Sequence, residues 1–394
     1  MPDVIVVGGG VIGAACADDL TRRGHAVTLF ERDSLASAAS GRNMGLWLPT
    51  EDAATHSLAR RSLEVYLELA AAAPHHPWID REPLTYLLLA VDNDDVDRGR
   101  TTAEAIAGGG VEVEQTDAGG IRARDAAFSA DLAAGWWIGG GRRLDPGALT
   151  VALATRAAAR GAAIRHHTAV HGLIERSGRV TGVMTDDGPA EADAVVIAAG
   201  PWSRPLLEPL RIELPVVGAL GWVVRVGPAP GLPNTLMESI GWRHEGSAGD
   251  RPTAGQIAEH GLGGFTSAPA LHPHPDGSLT IGAMRQPWLT PEPPAPGVVR
   301  RLLADGIRVA PAITQAPVRS SRWCVRPMTP DERPIVGELA DGLWVCTGHG
   351  SEGVILGAGS AELLGSMLAE DDAPFDAAPF DPGRFDADDL GTFG

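Results

Sequence analysis

The chain opens on a short apolar run, Val4-Ile5-Val6-Val7, ended by Gly8-Gly9-Gly10. Apolar positions then recur at helical spacing over 11–23, Gly24 stops them, and 26–30 is a second apolar run. Buried strand, turn, helix and buried strand predict the start of a doubly wound sheet. Residues 51–73 read as a helix closed by Pro74, and 84–91 as a strand. Helix and strand alternate weakly to about Gly141. Asp145-Pro146 is an N-cap followed by proline at the first helical position, which predicts a helix to about Arg160. Strands are expected around Ile164, Val170 and Val180, and another over 193–199 before Gly200-Pro201.

The pattern changes over 213–290. Short β-like runs (214–217, 222–226, 279–281) are separated by Gly/Pro-rich loops, which predicts an antiparallel, mostly β insertion. A helix near 296–309, a strand at 343–346, a glycine-rich turn at 348–353 and a helix over 354–368 return the chain to α/β character. The tail repeats Ala-Pro-Phe-Asp at 373 and 378, too briefly for an architectural repeat, and is expected on the surface.

Composition narrows the chemistry. The 394 residues carry 32 basic side chains, and all of them are arginine. Without lysine there is no Schiff-base chemistry and no Walker A lysine. Arginine is a poor base, so proton transfer must fall to His, Asp, Glu or water. Codon bias in a GC-rich genome is the simple cause of the missing lysines. The formal charge of −18 argues against nucleic acid and anionic membranes as partners. Cys16, Cys324 and Cys346 form neither a disulfide framework nor a metal spacing. No apolar run reaches the about 18 residues of a membrane span. A reducing cytoplasm is expected, with no leader before the first strand.

Gly8-x-Gly10-x-x-Gly13 lies between the first strand and helix, and Glu31 ends the second strand. The glycines allow a tight turn and close approach of a pyrophosphate to a helix N-terminus, and Glu31 suits a ribose diol. A carboxylate there would repel a 2′-phosphate, which disfavours NADP. The motif alone does not separate FAD from NAD.

Further motifs follow in order: 37–46 (Ser-Ala-Ala-Ser-Gly-Arg-Asn-Met-Gly-Leu), 193–203 (Asp-Ala-Val-Val-Ile-Ala-Ala-Gly-Pro-Trp-Ser), Arg326-Pro327-Met328-Thr329-Pro330-Asp331, Gly348-His349-Gly350-Ser351-Glu352-Gly353 and 380–385 (Phe-Asp-Pro-Gly-Arg-Phe). This string resembles the FAD-dependent D-amino acid oxidase superfamily, in particular its glycine oxidase, sarcosine oxidase and D-amino acid dehydrogenase branch. The match covers nearly the whole chain and is poor over 213–320.

The resemblance implies an α/β fold. A discontinuous Rossmann-like FAD-binding domain would take 1–80, 142–212 and 318–372. An α+β substrate domain on an antiparallel sheet would take 81–141 and 213–317, and 373–394 would be an acidic tail. FAD would lie against Gly8, Gly10, Val11, Ile12, Gly13, Glu31 and Arg32. The loop of Ser40, Arg42, Asn43, Met44, Gly45 and Leu46 would wrap the ribityl chain and pyrophosphate. Val170 would meet the adenine, and Ala199, Gly200 and Trp202 the ribose and phosphates. The turn from Gly348 through His349, Gly350, Ser351, Glu352 and Gly353 to Val354 would face the flavin pyrimidine edge, where the helix dipole favours reduced flavin.

The implied reaction is oxidation of the C–N bond of an amino acid or related amine to an imine, with hydride passing to flavin N5. Oxygen or another carrier would accept the electrons. A flavin-binding subunit of a larger oxidase and an NAD-dependent dehydrogenase are the alternative functions, and the chain's partners would include further copies of itself if it forms an oligomer. Arg326 would grip the substrate carboxylate; the alternative is a structural arginine paired with Asp331 or a backbone carbonyl. Cys324 stands where sarcosine and pipecolate oxidases carry a flavin thioether, and the reading preferred is a small buried thiol with FAD held non-covalently. Cys16 is expected in the core. His349 would stack near the ring rather than act as a base. Glu352 would attract a cationic substrate group or simply sit solvated in the first helical turn. Neither Tyr66 nor Tyr86 lies in the insertion to supply the family's substrate-covering tyrosine, so Trp222, Trp242 or Trp288 would be a wall in its place, the alternative being plain core. Sarcosine oxidases use a lysine for oxygen; here His244, His260, His272 or His274 would have to supply a cation, although the 272–275 His-Pro loop reads as exposed surface. No metal site is expected.

Overall fold

A computed structural model describes residues 2–73, 78–240, 266–287 and 297–385. Trp242, Trp288, His244, His260 and Pro74 lie outside the described residues.

A six-stranded sheet carries the nucleotide motif. Its order is Ile335–Ala340, Leu343–Thr347, Ala194–Ile197, Asp3–Val7, Ala26–Phe30 and Ala163–Arg165. All neighbours are parallel except the first pair. Strands buried on both faces need apolar residues throughout, and Val4 to Val7 are each at most 5% exposed. One face packs on the helices Val11–Arg22, His56–Ala72, Pro146–Ala159 and Gly353–Leu368. The other packs on the antiparallel strands Val170–Arg176, Arg179–Thr185 and Gly188–Glu191. Asp145 caps its helix as expected, accepting from Ala148 N–H at 2.9 Å.

A nine-stranded sheet forms the second layer. Its order is Val318–Met328, Val217–Val226, Leu279–Pro287, Thr266–Pro273, Met237–Ser239, Leu84–Ala90, Ala134–Arg143 and Leu46–Trp47, with Val113–Thr116 beside Ala134–Arg143. Every pairing is antiparallel except Met237–Ser239 with Leu84–Ala90. The helix Gly297–Val309 covers part of one face.

The second sheet also takes two strands from segments expected in the nucleotide half: Leu46–Trp47 pairs with Ala134–Arg143, and Val318–Met328 pairs along its length with Val217–Val226. The basic, irregular sequence of Val318–Met328 has no period that reveals a partner. The 373–394 tail is not purely surface: Phe380 is 1% exposed within the first core, and Arg384 bonds Asp331 at 2.8 Å. No helix among the described residues is long and apolar enough to cross a membrane, and no His/Cys/Asp/Glu group among them suits a metal.

Candidate functional site

The glycine turn leaves the first strand at Val7 and enters the helix at Val11. A Cβ on Gly13 would lie 1.9 Å from the Gly8 carbonyl oxygen, so only glycine lets helix and turn approach this closely. Glu31 is 9% exposed and braces the turn. Its carboxylate accepts from Gly9 N–H at 2.6 Å and from Asp33 N–H at 2.8 Å. The guanidinium of Arg32 stacks 3.9 Å over the Trp202 ring.

These residues open onto a cavity of about 510 Å³ between the two sheets, within the range of ligand sites. Gly8, Gly10, Val11, Ile12, Glu31 and Arg32 line one end. Val170, Ala199, Gly200 and Trp202 adjoin them. Every residue expected of the 40–46 loop, from Ser40 and Arg42 to Asn43, Met44, Gly45 and Leu46, is at the wall. So are Cys324, Arg326, His349, Gly350, Ser351, Gly353 and Val354.

The second sheet holds the loop. Arg322 donates to the carbonyls of Arg42 at 3.1 Å and Asn43 at 2.8 Å. His272 Nδ1 lies 2.8 Å from the Met44 carbonyl, which can only accept, so Nδ1 carries the proton. Within the loop, Asn43 Oδ1 accepts from Gly45 N–H at 2.8 Å, and Ser40 Oγ accepts from Val11 N–H at 2.9 Å. His272 is 4% exposed, and burial, with His274, Arg143 and Arg322 nearby, brings its pKa down to about 3. The expectation of an exposed loop histidine or a cation at His272 is therefore corrected: it is a buried neutral donor. The His274 pKa is also lowered, first by burial and then by Arg225.

Arg326 reaches across the sheet and donates from Nη1 to the Met284 carbonyl at 2.9 Å. Arg326 is half-buried and lines the cavity, with its guanidinium packed over the backbone of Gly221. Burial lowers its pKa to about 10; the Cys324 thiol opposes that shift and Arg285 adds to it. It stays charged at neutral pH. Of the two structural partners expected as the alternative, Asp331 is not one, since Asp331 bonds Arg384, whereas a backbone carbonyl, that of Met284, is. Arg285 is paired with Glu332 at 2.6 Å. Cys324 is 7% exposed, and burial pushes its thiol up against the opposing pull of Arg326, Arg42 and Arg322.

Four expected site residues stand back from the cavity. Gly13 and Gly348 shape the turns behind it. Glu352 is the N-cap residue of the Gly353–Leu368 helix and is not at the wall. Trp222 is corrected outright: it packs on the far face of the sheet with the core under Gly297–Val309. Side chains alternate along a strand, so Gly221 and Val223 take the cavity side instead. Glu238, Ala270 and Ala283 also line the cavity and were not foreseen. Both faces of these strands are apolar, so alternation alone did not reveal the inward one. Tyr66 and Tyr86 are fully buried in the cores, away from the cavity.

The donor set fits FAD. Two helix N-termini, at Val11 and Gly353, open into one cavity, and apart from the Ser40 hydroxyl on Val11 N–H no side-chain cap from the N-cap residues covers them. Their dipoles and N–H groups suit an anionic dinucleotide. His349 is 2% exposed at the wall, and among the described residues neither ring nitrogen meets hydrogen-bond geometry, although the ring lies close enough to the Cys346 thiol to lower its pKa. A buried imidazole at the wall gives the cavity a polar group that a cofactor or substrate can meet.

A dinucleotide turn facing a mostly antiparallel sheet across one cavity is the architecture of a two-sheet, dinucleotide-dependent oxidoreductase. The chain belongs to the FAD dependent oxidoreductase (DAO) family, whose model matches residues 3–367. It is 27% identical to a bifunctional ThiO/ThiG protein of Nostoc sp. over 93% of this chain and 53% of that protein. The chain thus spans about half the length of the first curated relatives it matches. It is 29% identical to a glycine oxidase of Geobacillus kaustophilus, covering 95% of both. The crystal structure of glycine oxidase from Geobacillus kaustophilus superposes with a TM-score of 0.81, at 27% identity over 98% of this chain and 99% of that one. A D-amino acid dehydrogenase of Cereibacter sphaeroides is 28% identical over 93% of this chain and 91% of that protein.

Proposed function

We propose that this protein oxidises the C–N bond of an amino acid, or of a small amine bearing a carboxylate, to an imine. The observation that carries the reading is Arg326, a charged guanidinium at the wall of the cavity that the two helix N-termini share. FAD, when bound, supplies the two-electron acceptor. The glycine turn, Glu31 and the 40–46 loop would hold its dinucleotide and ribityl portions. Gly353 and Val354, at the second helix N-terminus, would meet its ring. Arg326 anchors the substrate carboxylate and so orients the reacting carbon, a positioning role rather than proton transfer. Val223, Ala270 and Ala283 exclude water around the amine.

Glycine oxidase and D-amino acid dehydrogenase relatives support the substrate class. The chain contains no lysine, which favours an acceptor other than oxygen as the second reading. We place the protein in the cytoplasm, with FAD bound non-covalently.

Arg326→Leu tests the assignment. The KM for amino acid substrates should rise at least tenfold, while that for the matching amines without a carboxylate should stay within twofold. An unchanged KM for amino acids would refute it.

A further inference from the structure

We infer that Gly221 is a positioning residue, which by having no side chain sets the carboxylate-binding pose of Arg326; this rests on the reading of Arg326 given above. Arg326 lies on the edge strand Val318–Met328, and its Nη1 bonds the Met284 carbonyl on Leu279–Pro287. The strand between them is Val217–Val226. The side chain therefore crosses a whole strand, about 10 Å for two strand spacings.

It crosses over Gly221. A Cβ at that position would lie 2.0 Å from Arg326 Nη1, 2.4 Å from Cζ and 2.6 Å from Nη2. Non-bonded heavy atoms prefer about 3.5–4.0 Å. The guanidinium thus occupies the volume that any other residue's side chain would fill. Gly221 stands opposite Cys324 in the register, two residues before Arg326, and both Gly221 and Arg326 line the cavity. Alanine at 221 would push the guanidinium off the strand and break the bond to Met284. The fork would then meet a carboxylate at another height and angle, and bidentate recognition is sensitive to both.

The obstructing atoms are the far end of a flexible side chain, so the effect should be on placement more than on folding. A double-mutant cycle on the full-length, FAD-loaded protein tests this. Acetate binding is measured by calorimetry, and KM is measured for glycine and for methylamine. Gly221→Ala should weaken acetate at least tenfold, approaching Arg326→Leu, and raise the KM for glycine but not for methylamine. In the Arg326→Leu background the same substitution should change acetate binding less than twofold, because nothing remains to displace.

The inference is overturned if Gly221→Ala leaves acetate binding within twofold of wild type, or weakens it equally in both backgrounds. If Gly221→Ala alone fails to fold, it should fold once Arg326 is leucine; failure in both backgrounds also overturns the contact. An Arg326→Leu variant that binds acetate normally would instead sink the functional reading beneath it.

Discussion

Arg322 reaches from the edge strand of the second sheet to the carbonyl of Asn43, 2.8 Å away, and pins the cavity loop to the sheet opposite. A second bond, to the Arg42 carbonyl at 3.1 Å, fixes the guanidinium. The loop is therefore held by the half of the molecule that does not carry the dinucleotide turn. Arg322→Met should weaken FAD binding about tenfold, consistent with roughly 1.5–3 kcal/mol for a hydrogen bond to a charged group. Fluorescence titration of the apoprotein with FAD measures it, and unchanged affinity would show that the loop holds without this tie.

His272 makes the same connection at Met44, and its protonation gives stability a pH dependence. Its folded pKa is lowered to about 3 from an ordinary 6.5. Between those values the unfolded chain takes up a proton that the folded chain refuses, so stability falls as pH drops from about 6.5 to about 3. Thermal melts of wild type and His272→Gln across that window should converge toward low pH. Parallel curves would mean that His272 titrates normally.

Glu31 braces Gly9 and Asp33 through one carboxylate. Glu31→Ala leaves two backbone N–H groups without their acceptor, at about 1–3 kcal/mol for each one that stays buried. The variant should lose several degrees in Tm and bind FAD at least tenfold more weakly. An FAD affinity equal to wild type would contradict the role given to this acid.

The chain made the nucleotide half readable because its signals are local. Strand, glycine turn, helix and Glu31 fall within the first 31 residues, and each has its own physical constraint. The second sheet draws its strands from segments far apart in the chain, with Leu46–Trp47 at one edge and Val318–Met328 at the other. Several of its inward residues are small: Gly221, Ala270 and Ala283. Small inward residues beside a large outward Trp222 invert the usual expectation that bulk marks a pocket wall. Glu238 sits on a three-residue strand, too short for any period to show. His272 looked exposed because a His-Pro repeat resembles a surface loop; its burial depends on Met44, 228 positions away.

Cys324 should not be joined to the flavin. Burial holds its thiol protonated despite three arginines nearby, and the thiolate is the reactive form. Acid precipitation of the purified protein should leave the yellow colour in the supernatant. Colour retained in the pellet, and lost in Cys324→Ser, would establish a covalent bond.

The central claim is amine oxidation at this cavity, and anaerobic flavin reduction tests it most directly. Purified FAD-loaded protein is mixed without oxygen with glycine, sarcosine, D-alanine, D-proline and L-proline, and the visible flavin absorbance is followed. At least one should bleach the flavin in wild type, and at matched concentration should do so far less in Arg326→Leu. Flavin that is bleached by dithionite but by none of these amino acids would contradict the account.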